Sequence, residues 1–338
     1  MNNLNDTTGI DNKIKKCFEY LNDAKKLIIS SHIHPDGDAV GSALALYYYA
    51  TQKSIDTKIY FHSPLPYNLK YLTGTEFIVK YDDKLHRQDV LNADTIFIID
   101  LNETVRLGSV EDAIIKAKGK KIVIDHHLFP KDFADFYLVD SMASSTGELV
   151  YKVMKQEEGI VFTKEIAYGL YTAIMTDTGS FRFPRSTSEV HRIVAELIDC
   201  GADPVEIYDN YYNIIPPNAA ILHGIALAGM EFFCNGNFCL LTLTKDDFIK
   251  TGTTVQDVEG IVEKSVTIRD VKVGALITQN PEDNVIKLSF RSKGDVNVRQ
   301  IAALFGGGGH QQAAGAKIEN ADFNEIRSKI IDSISELF

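Results

Sequence analysis

Short apolar runs alternate with amphipathic segments over the first half of the chain. The runs predict strands at 26–30, 57–61, 94–100, 120–125 and 135–140, and the segments predict helices at 14–24, 38–52, 109–118, 145–157 and 163–175. Apolar runs without polar alternation are typical of strands buried on both faces, and helices between consecutive strands favour parallel pairing. We therefore predict an α/β fold whose N-terminal sheet is mostly parallel and doubly wound.

The pattern changes in the second half of the chain. The stretch "EFFCNGNFCLLTLT" predicts a hairpin around Asn235-Gly236. The positions beyond it predict strands at 271–279 and 284–291, a helix at 297–304 and a final helix from Phe323. A chain of 338 residues has room for two domains. The predicted organisation is a first domain at 11–200, a helical connector at 201–230 and a smaller α+β domain at 231–338.

Composition and charge narrow the class of protein. A formal net charge of −11 argues against a protein that coats duplex DNA, because a sequence-independent grip on phosphates needs clustered lysine and arginine. The four cysteines form no CxxC pair, which is typical of free thiols in a reducing compartment. The first residues, "MNNLNDTTGIDNKIKK", lack the apolar segment of a signal peptide. We expect a cytoplasmic protein with no membrane partner.

Three of the predicted strands end in acids and imidazoles, in "LIISSHIHPDGD", "IFIID" and "IVIDHH". In an open parallel sheet, ligands bind beyond the carboxyl ends of the strands, so these clusters should face one crevice. A further cluster, "AIMTDTGSFRF", follows an apolar helical segment. The side chains expected in this crevice are His32, His34, Asp36, Asp38, Asp100, Asp125, His126, His127 and Asp177.

So many carboxylates in one crevice repel one another unless cations lie among them. Mixed aspartate and histidine ligation without thiolates suits divalent manganese, magnesium, iron or zinc. The number of acids predicts two cations that share a carboxylate, an arrangement suited to phosphoryl chemistry. Taken alone, Asp36-Gly37-Asp38 or Asp177-Thr178-Gly179 is more typical of a turn. The convergence of several clusters on one sheet edge favours the metal site.

A glycine run in the second half is a candidate ligand loop. In "ALFGGGGHQQAAGA", Gly306 to Gly309 precede His310. Glycines allow backbone amides to point at a phosphate or carboxylate, although a flexible loop is the alternative interpretation of the glycines alone. The histidine and the arginine of "SFRSK", Arg291, favour a substrate site. No Walker motif is present in the sequence.

The motifs "HIHPDGDAVGS", "FIID", "DHH", "TDTGSFRF" and "FGGGGHQQAAGA" follow one another in this order. As a set they resemble the DHH phosphoesterase superfamily, and the order of a DHH catalytic domain, a helical connector and a DHH-associated domain is most similar to the bacterial nanoRNase/pAp phosphatases. The resemblance covers nearly the whole chain. It implies a hydrolase with two divalent cations, Mn²⁺ first and Mg²⁺ as the alternative. The implied substrates are short RNA oligonucleotides, linear dinucleotides such as pApA and pGpG, and 3′-phosphoadenosine 5′-phosphate (pAp).

The resemblance also implies roles for single residues. The implied metal ligands are His32, Asp36, Asp38, Asp100, His126 and Asp177, with Asp100 as the bridging carboxylate. Asp125 is implied to orient an imidazole, and His127 to face the substrate phosphate. The implied substrate contacts are Arg291, Gly307, Gly308, Gly309 and His310. Relatives carry varied polar residues at the position of His34, which is therefore left out of the ligand set.

Two rival functions stay open at the level of the sequence. An inorganic pyrophosphatase or exopolyphosphatase on the same catalytic domain should show a denser lysine and arginine lining in the second domain. A non-catalytic nucleotide or RNA sensor should have lost metal ligands, whereas every expected position is filled here. We expect short single-stranded RNA or nucleotides as partners and no duplex DNA, and we leave a homodimer open as the assembly.

Overall fold

The computed structural model describes residues 7–128, 130–283 and 285–338. They form two compact units, which meet in the sequence between Ile214 and Ile215. This division lies within the predicted connector, and the predicted domain limits themselves stay predictions. The part of the polar leader that precedes Thr7 lies outside the described residues. None of the described helices combines the length and the apolar composition that a bilayer crossing requires.

A parallel sheet lies at the centre of the first unit. Its strands are β1 (Lys26–Ser30), β2 (Asp56–Phe61), β3 (Ile78–Lys80), β4 (Thr95–Ile99), β5 (Lys120–Asp125) and β6 (Phe136–Val139). They lie in the order β3-β2-β1-β4-β5-β6, and every neighbouring pair is parallel. This confirms the predicted doubly wound α/β sheet, in which the strand order reverses direction between β1 and β4.

Helices cover both faces of this sheet. They are α1 (Thr7–Asp23), α2 (Gly37–Gln52), α3 (Asp83–Asn92), α4 (Glu111–Lys116), α5 (Thr146–Met154), α6 (Lys164–Asp177), α7 (Ser188–Asp199) and α8 (Pro204–Tyr212). Phe97 of β4 packs in a core with residues of α1, α2, α5 and α6, whereas its neighbour Ile98 packs in a core with residues of α3 and α4. Because both faces are buried, the strands appear in the sequence as uninterrupted apolar runs.

A mixed sheet lies at the centre of the second unit. Its strands are β7 (Glu231–Phe233), β8 (Phe238–Leu243), β9 (Val273–Gln279), β10 (Val285–Ser292), β11 (Gly308–Gly309) and β12 (Ala313–Glu319), and its helices are α9 (Pro217–Ala228), α10 (Lys245–Thr251), α11 (Ile261–Ser265), α12 (Val298–Leu304) and α13 (Phe323–Ser335). The strand order is β11-β12-β10-β9-β8-β7, with β8 and β9 parallel and the other neighbours antiparallel. Helices α12 and α13 pack on one face, and α9, α10 and α11 on the other. The predicted smaller α+β domain is confirmed.

Some elements of the structure are absent from the sequence prediction. Strands β1 and β5 have the predicted limits, but β3, α3, α10, α11 and β12 were not predicted. In α3, "DKLHRQDVLN", Val90 is the buried residue, so the segment shows no apolar periodicity. Strand β12, "AAGAKIE", consists mainly of small residues that carry little strand signal.

Candidate active site

The carboxyl ends of β1, β4 and β5 lie side by side, because β4 pairs with both of the other strands. His32 follows β1, Asp100 follows β4, and β5 ends at Asp125 with His126 and His127 directly after it. Three predicted clusters therefore meet at the carboxyl ends of these central strands. The strand order reverses beside them, which is where open parallel sheets bind ligands.

Two closely packed helices add the remaining acids. A Cβ atom built on Gly41 of α2 would lie 2.2 Å from the Gly169 carbonyl oxygen of α6, and one on Gly37 would lie 2.5 Å from the Thr176 side chain. These pairings show that α2 and α6 run antiparallel, so that the start of α2 lies beside the end of α6. The glycines thereby allow Asp38 and Asp177 to approach one another.

Histidine side chains join the acids into one cluster. The His32 Nε2 atom lies 3.2 Å from Asp100 Oδ2 and 3.9 Å from Asp36 Oδ1. The His126 Nε2 atom lies 3.0 Å from Asp177 Oδ2, 3.7 Å from Asp100 Oδ1 and 3.8 Å from Asp38 Oδ2. His32, Asp38, Asp100 and His126 are buried, which separates this cluster from an ordinary acidic surface.

These side chains fit a pair of divalent cations. Within the described ranges, ligand atoms that lie within 4.8 Å of one another form three groups. The groups are His32 with Asp36 and Asp100, Asp38 with His126 and Asp177, and Asp100 with His126 and His127. Asp100 and His126 each belong to two groups, so the donor set can serve neighbouring cations through a shared carboxylate. The donors are imidazoles and carboxylates, which suit divalent first-row metals and magnesium.

The electrostatics of the cluster show how strongly its acids need compensating charge. Burial, together with the charges of Asp100 and Asp177, raises the pKa of Asp38 well above its ordinary value. Burial alone would lower the pKa of both histidines, but the carboxylates outweigh it. Hydrogen bonding to Asp100 raises the pKa of His32 to about 9, and hydrogen bonding to Asp177 raises that of His126 to about 10.

Asp100 has an unusual backbone. Its φ of 57° lies in the left-handed region, which aspartate and asparagine tolerate better than most residues. Its N–H donates to the Ile124 carbonyl oxygen at 2.9 Å. Burial raises the pKa of the Asp100 carboxyl group, but the hydrogen bond and charge of His32 outweigh burial and lower it below the ordinary value. A strained, buried and ionised carboxylate at the centre of the cluster is typical of a functional residue.

The N-terminus of α5 holds the Asp38 carboxylate, a role that the sequence analysis did not identify. The backbone N–H groups of Thr146 and Gly147 donate to Asp38 Oδ2 and Oδ1 at 2.7 and 2.8 Å, and the Thr146 hydroxyl group lies 3.3 Å from Asp100 Oδ1. Ser145 caps the helix by accepting the Glu148 N–H. Thr146 lies 108 positions from Asp38, so no local motif signals the contact.

Asp125 and His127 form a tight pair beside the cluster. Asp125 Oδ1 accepts the backbone N–H groups of His126 and His127 and lies 2.7 Å from His127 Nδ1. A carboxylate at Nδ1 fixes the tautomer and the orientation of an imidazole ring.

His34 is not a member of the three groups of potential metal ligands. Its backbone N–H donates to Ser63 Oγ at 3.0 Å.

An arginine that the sequence analysis did not name approaches the cluster. Arg185 Nη1 lies 3.5 Å from His126 Nδ1. The residue stands two positions beyond the motif "TDTGSFRF", which contains the predicted ligand Asp177.

The structure brings most of the predicted substrate residues of the second unit together. Arg291 and Gly307 to Gly309 line one surface groove of about 540 Å³, and His310 follows directly and is exposed. Glu263 Oε1 accepts from Arg291 Nε and Nη2 at 2.9 and 2.7 Å.

The glycine run differs from the predicted nest of free amides. The N–H groups of Gly306 and Gly307 donate to the Ala303 and Ala302 carbonyl oxygens at the end of α12. Gly306 needs its φ of 73°, and a Cβ on Gly307 or Gly309 would collide with the backbone of β12. Gly308 is different, because a Cβ there would meet no described atom within 4 Å. Packing therefore explains Gly307 and Gly309, and the positive φ explains Gly306, but neither gives a structural reason for Gly308.

Comparison with known proteins identifies relatives along most of the chain. The model of the DHH family, N-terminal domain, matches residues 26–174, and the model of the DHHA1 domain matches residues 235–336. The bifunctional oligoribonuclease and PAP phosphatase NrnA of Thermus thermophilus is 31% identical over 92% of this chain and 89% of its own length. The protein of the same name from Bacillus subtilis is 26% identical over 88% of this chain and 90% of its own length.

A solved structure shows the same fold. The crystal structure of an exopolyphosphatase-related protein from Bacteroides fragilis superposes with a TM-score of 0.90 at 31% identity, covering 96% of this chain and 97% of that one. The matches extend through both units. On this likeness, and with the acid–histidine cluster in place, the chain belongs to the DHH family of phosphoesterases.

Proposed function

We propose that the chain hydrolyses short RNA oligonucleotides, linear dinucleotides such as pApA and pGpG, and pAp. The observation that carries this proposal is the buried cluster in which Asp100 and His126 are shared between groups of potential ligands. The relatives named oligoribonuclease and PAP phosphatase support the choice of substrates, because the chain matches most of their length.

The proposed ligands of the two cations are the six residues named from the resemblance, His32, Asp36, Asp38, Asp100, His126 and Asp177. Mn²⁺ and Mg²⁺ are the candidates because carboxylates predominate among the donors, and Mn²⁺ is the first choice because the two imidazoles suit a first-row metal better than Mg²⁺. Cations bound there supply the positive charge that acidifies a water molecule and neutralises charge developing on the phosphoryl group.

The protein's own groups position the reaction. Asp100 spans both halves of the cluster, and the α5 amides that hold Asp38 fix a second carboxylate in place. Asp125 orients His127 through Nδ1, so that Nε2 points away from Asp125 and can contact a phosphate oxygen. These two residues are the proposed catalytic pair.

In the second unit, Arg291, Gly307, Gly308, Gly309 and His310 are the proposed substrate residues. A guanidinium group suits bidentate contact with phosphate. Arg291 already uses Nε and Nη2 on Glu263, so its side chain is held in a defined orientation. Gly308, which packing does not explain, keeps the floor of the groove low where a ligand approaches.

The setting of the activity is also a proposal. All four cysteines are free thiols, which favours the reducing cytoplasm. The net charge of −11 favours short single-stranded substrates over duplex DNA. Assembly as a homodimer stays a prediction.

The test compares three substrates on chelator-stripped protein to which Mn²⁺ is returned: a 5′-phosphorylated RNA dinucleotide, pAp and pyrophosphate. We expect turnover of the first two, with pyrophosphate left intact. Cleavage of pyrophosphate alone would contradict the proposal and favour a pyrophosphatase. Metal binding without any turnover would favour a sensor.

A further inference from the structure

One face of the sheet in the second unit is only half covered by helices. Helices α9, α10 and α11 pack on this face over residues of β8 and β9, such as Leu241 and Leu276. On β10 burial alternates, and Lys287, Ser289 and Arg291 project from this same face and stay partly exposed. The groove described above lies on this open half, along β10, β12 and β11.

The half of this sheet face that the helices leave uncovered carries two like charges opposite one another. In the antiparallel ladder of β10 and β12, Lys287 pairs in register with Lys317. Like charges directly opposite in a sheet are destabilising. Burial and the Lys317 ammonium group lower the pKa of Lys287, even though Glu259 acts in the opposite direction. Across the described ranges, neither lysine forms an ion pair with a carboxylate, and Glu259 offsets the repulsion only in part, because the pKa of Lys287 stays lowered.

Small residues keep the surface between the cations low. Ser289 pairs with Gly315 and Arg291 with Ala313, so the groove has cationic side chains at two positions and small ones between them. Four residue steps along β10 lead from Lys287 to Arg291, a span of roughly 13 Å between their Cα atoms. This spacing leaves room in the groove for two phosphates of one oligonucleotide, one near each end.

From these contacts we infer that Lys287 and Lys317 form a second phosphate-binding position in the groove, which takes a backbone phosphate of a single-stranded oligonucleotide bound at the Arg291 end. The inference rests on the proposed function. It explains why a chain of net charge −11 retains two lysines directly opposite one another on a half-buried sheet face. The pair costs stability in the free protein and gains affinity for substrates longer than a mononucleotide.

The test measures binding in the presence of a chelator, so that cleavage cannot occur. The variants are Lys317→Ala, Lys287→Met, which keeps the apolar stem of a half-buried side chain, and the double variant. The probes are a 5′-phosphorylated RNA pentanucleotide and adenosine 5′-monophosphate. Lys250→Ala is the matched control, because it removes the same charge from α10 in the same unit.

We expect the double variant to bind the pentanucleotide about tenfold more weakly and the mononucleotide unchanged. The slope of log affinity against log salt should fall by about 0.7 for each lost phosphate contact. The Tm should hold or rise, because a repulsion is removed, whereas a purely structural role would lower it. The control should change none of these values.

Three results would overturn the inference. Wild-type affinity and salt slope in the double variant would show that the lysines contact no phosphate. An equal loss for both probes would show a general charge effect instead of a second position. If the wild-type protein neither binds nor hydrolyses RNA, the proposed function fails together with the inference. If the wild-type protein hydrolyses RNA and the double variant binds the pentanucleotide normally, only the second phosphate-binding position is refuted.

Discussion

At the scale of single residues, the cluster contains groups that the sequence identifies and groups that it cannot. His32, Asp100 and His126 stand at strand ends, so a strand prediction suffices to place them at one edge. The backbone amide of Thr146 contributes equally to the geometry, yet it donates to a carboxylate that is remote in sequence. Any residue type can supply a backbone amide, so such a contact becomes visible only when the chain has folded.

The raised pKa values of two histidines predict how the metal-free protein responds to pH. The pKa of His32 is raised to about 9 and that of His126 to about 10, above the ordinary 6.5. A raised folded-state pKa contributes stability that is fully present below the ordinary value and is lost as pH rises through the folded value. We therefore expect the Tm of chelator-treated protein to fall from about pH 7 to about pH 10.

Saturating Mg²⁺ should reduce this fall, because bound cations displace the same protons. Thermal unfolding in both conditions checks the prediction. A metal-free Tm that stays constant or rises over this interval would show that the histidines are not held in their charged form.

Gly308 offers a test of the substrate groove that is separate from folding. A Cβ at this position meets no described atom within 4 Å, and its φ is not among the positive values. Gly308→Ala should keep the Tm while raising the KM for the RNA dinucleotide roughly tenfold, because the added methyl group occupies the ligand's space.

Gly224→Ala is the matched control, since a Cβ there is equally unobstructed but lies on α9. It should leave the KM unchanged and raise stability by about 0.5–1 kcal/mol, as expected for a glycine inside a helix. An unchanged KM in Gly308→Ala would remove this glycine from the substrate site.

At the scale of elements, the antiparallel pair of α2 and α6 determines the position of the acids. A Cβ on Gly41 would lie 2.2 Å from a backbone oxygen of α6, so the helices would have to move apart. Gly41→Ala should lower stability by about 1–3 kcal/mol, the usual effect of overpacking. It should also weaken metal binding, because Asp38 and Asp177 lie on different members of this pair.

Urea unfolding and metal titration of the same variant check both parts of this prediction. Wild-type metal affinity in a destabilised Gly41→Ala variant would show that the helix spacing does not control the cluster. The sequence predicted both helices, but it did not predict their backbone contact. Small residues on a helix permit close approach without specifying the partner.

At the scale of the whole molecule, the sequence predicted the architecture of both units, because apolar positions of the predicted strands and helices form each core. Elements with little buried apolar surface were missed, as α3 and β12 show. The sequence did not show which glycines of the run Gly306 to Gly309 the backbone itself requires. Most of its glycines are required by backbone geometry, which composition cannot distinguish from ligand contact.

The central claim is that the cluster around Asp100 makes the chain a metal-dependent phosphoesterase. The most direct measurement is hydrolysis of a 5′-phosphorylated RNA dinucleotide by stripped protein as Mn²⁺ is added, for the wild type and for Asp100→Asn. Asparagine also tolerates the left-handed φ of 57°, so the fold should be retained. Asp135→Asn is the control, since this carboxylate accepts the Lys121 N–H near the start of β5, at the opposite end of the strand from the cluster.

We expect saturable activation of the wild type and of the control, and a loss of about 100-fold or more in Asp100→Asn at every metal concentration. Circular dichroism and the Tm should show that the variant remains folded. Full activity in folded Asp100→Asn, or hydrolysis by the wild type that does not depend on added metal, would contradict the account.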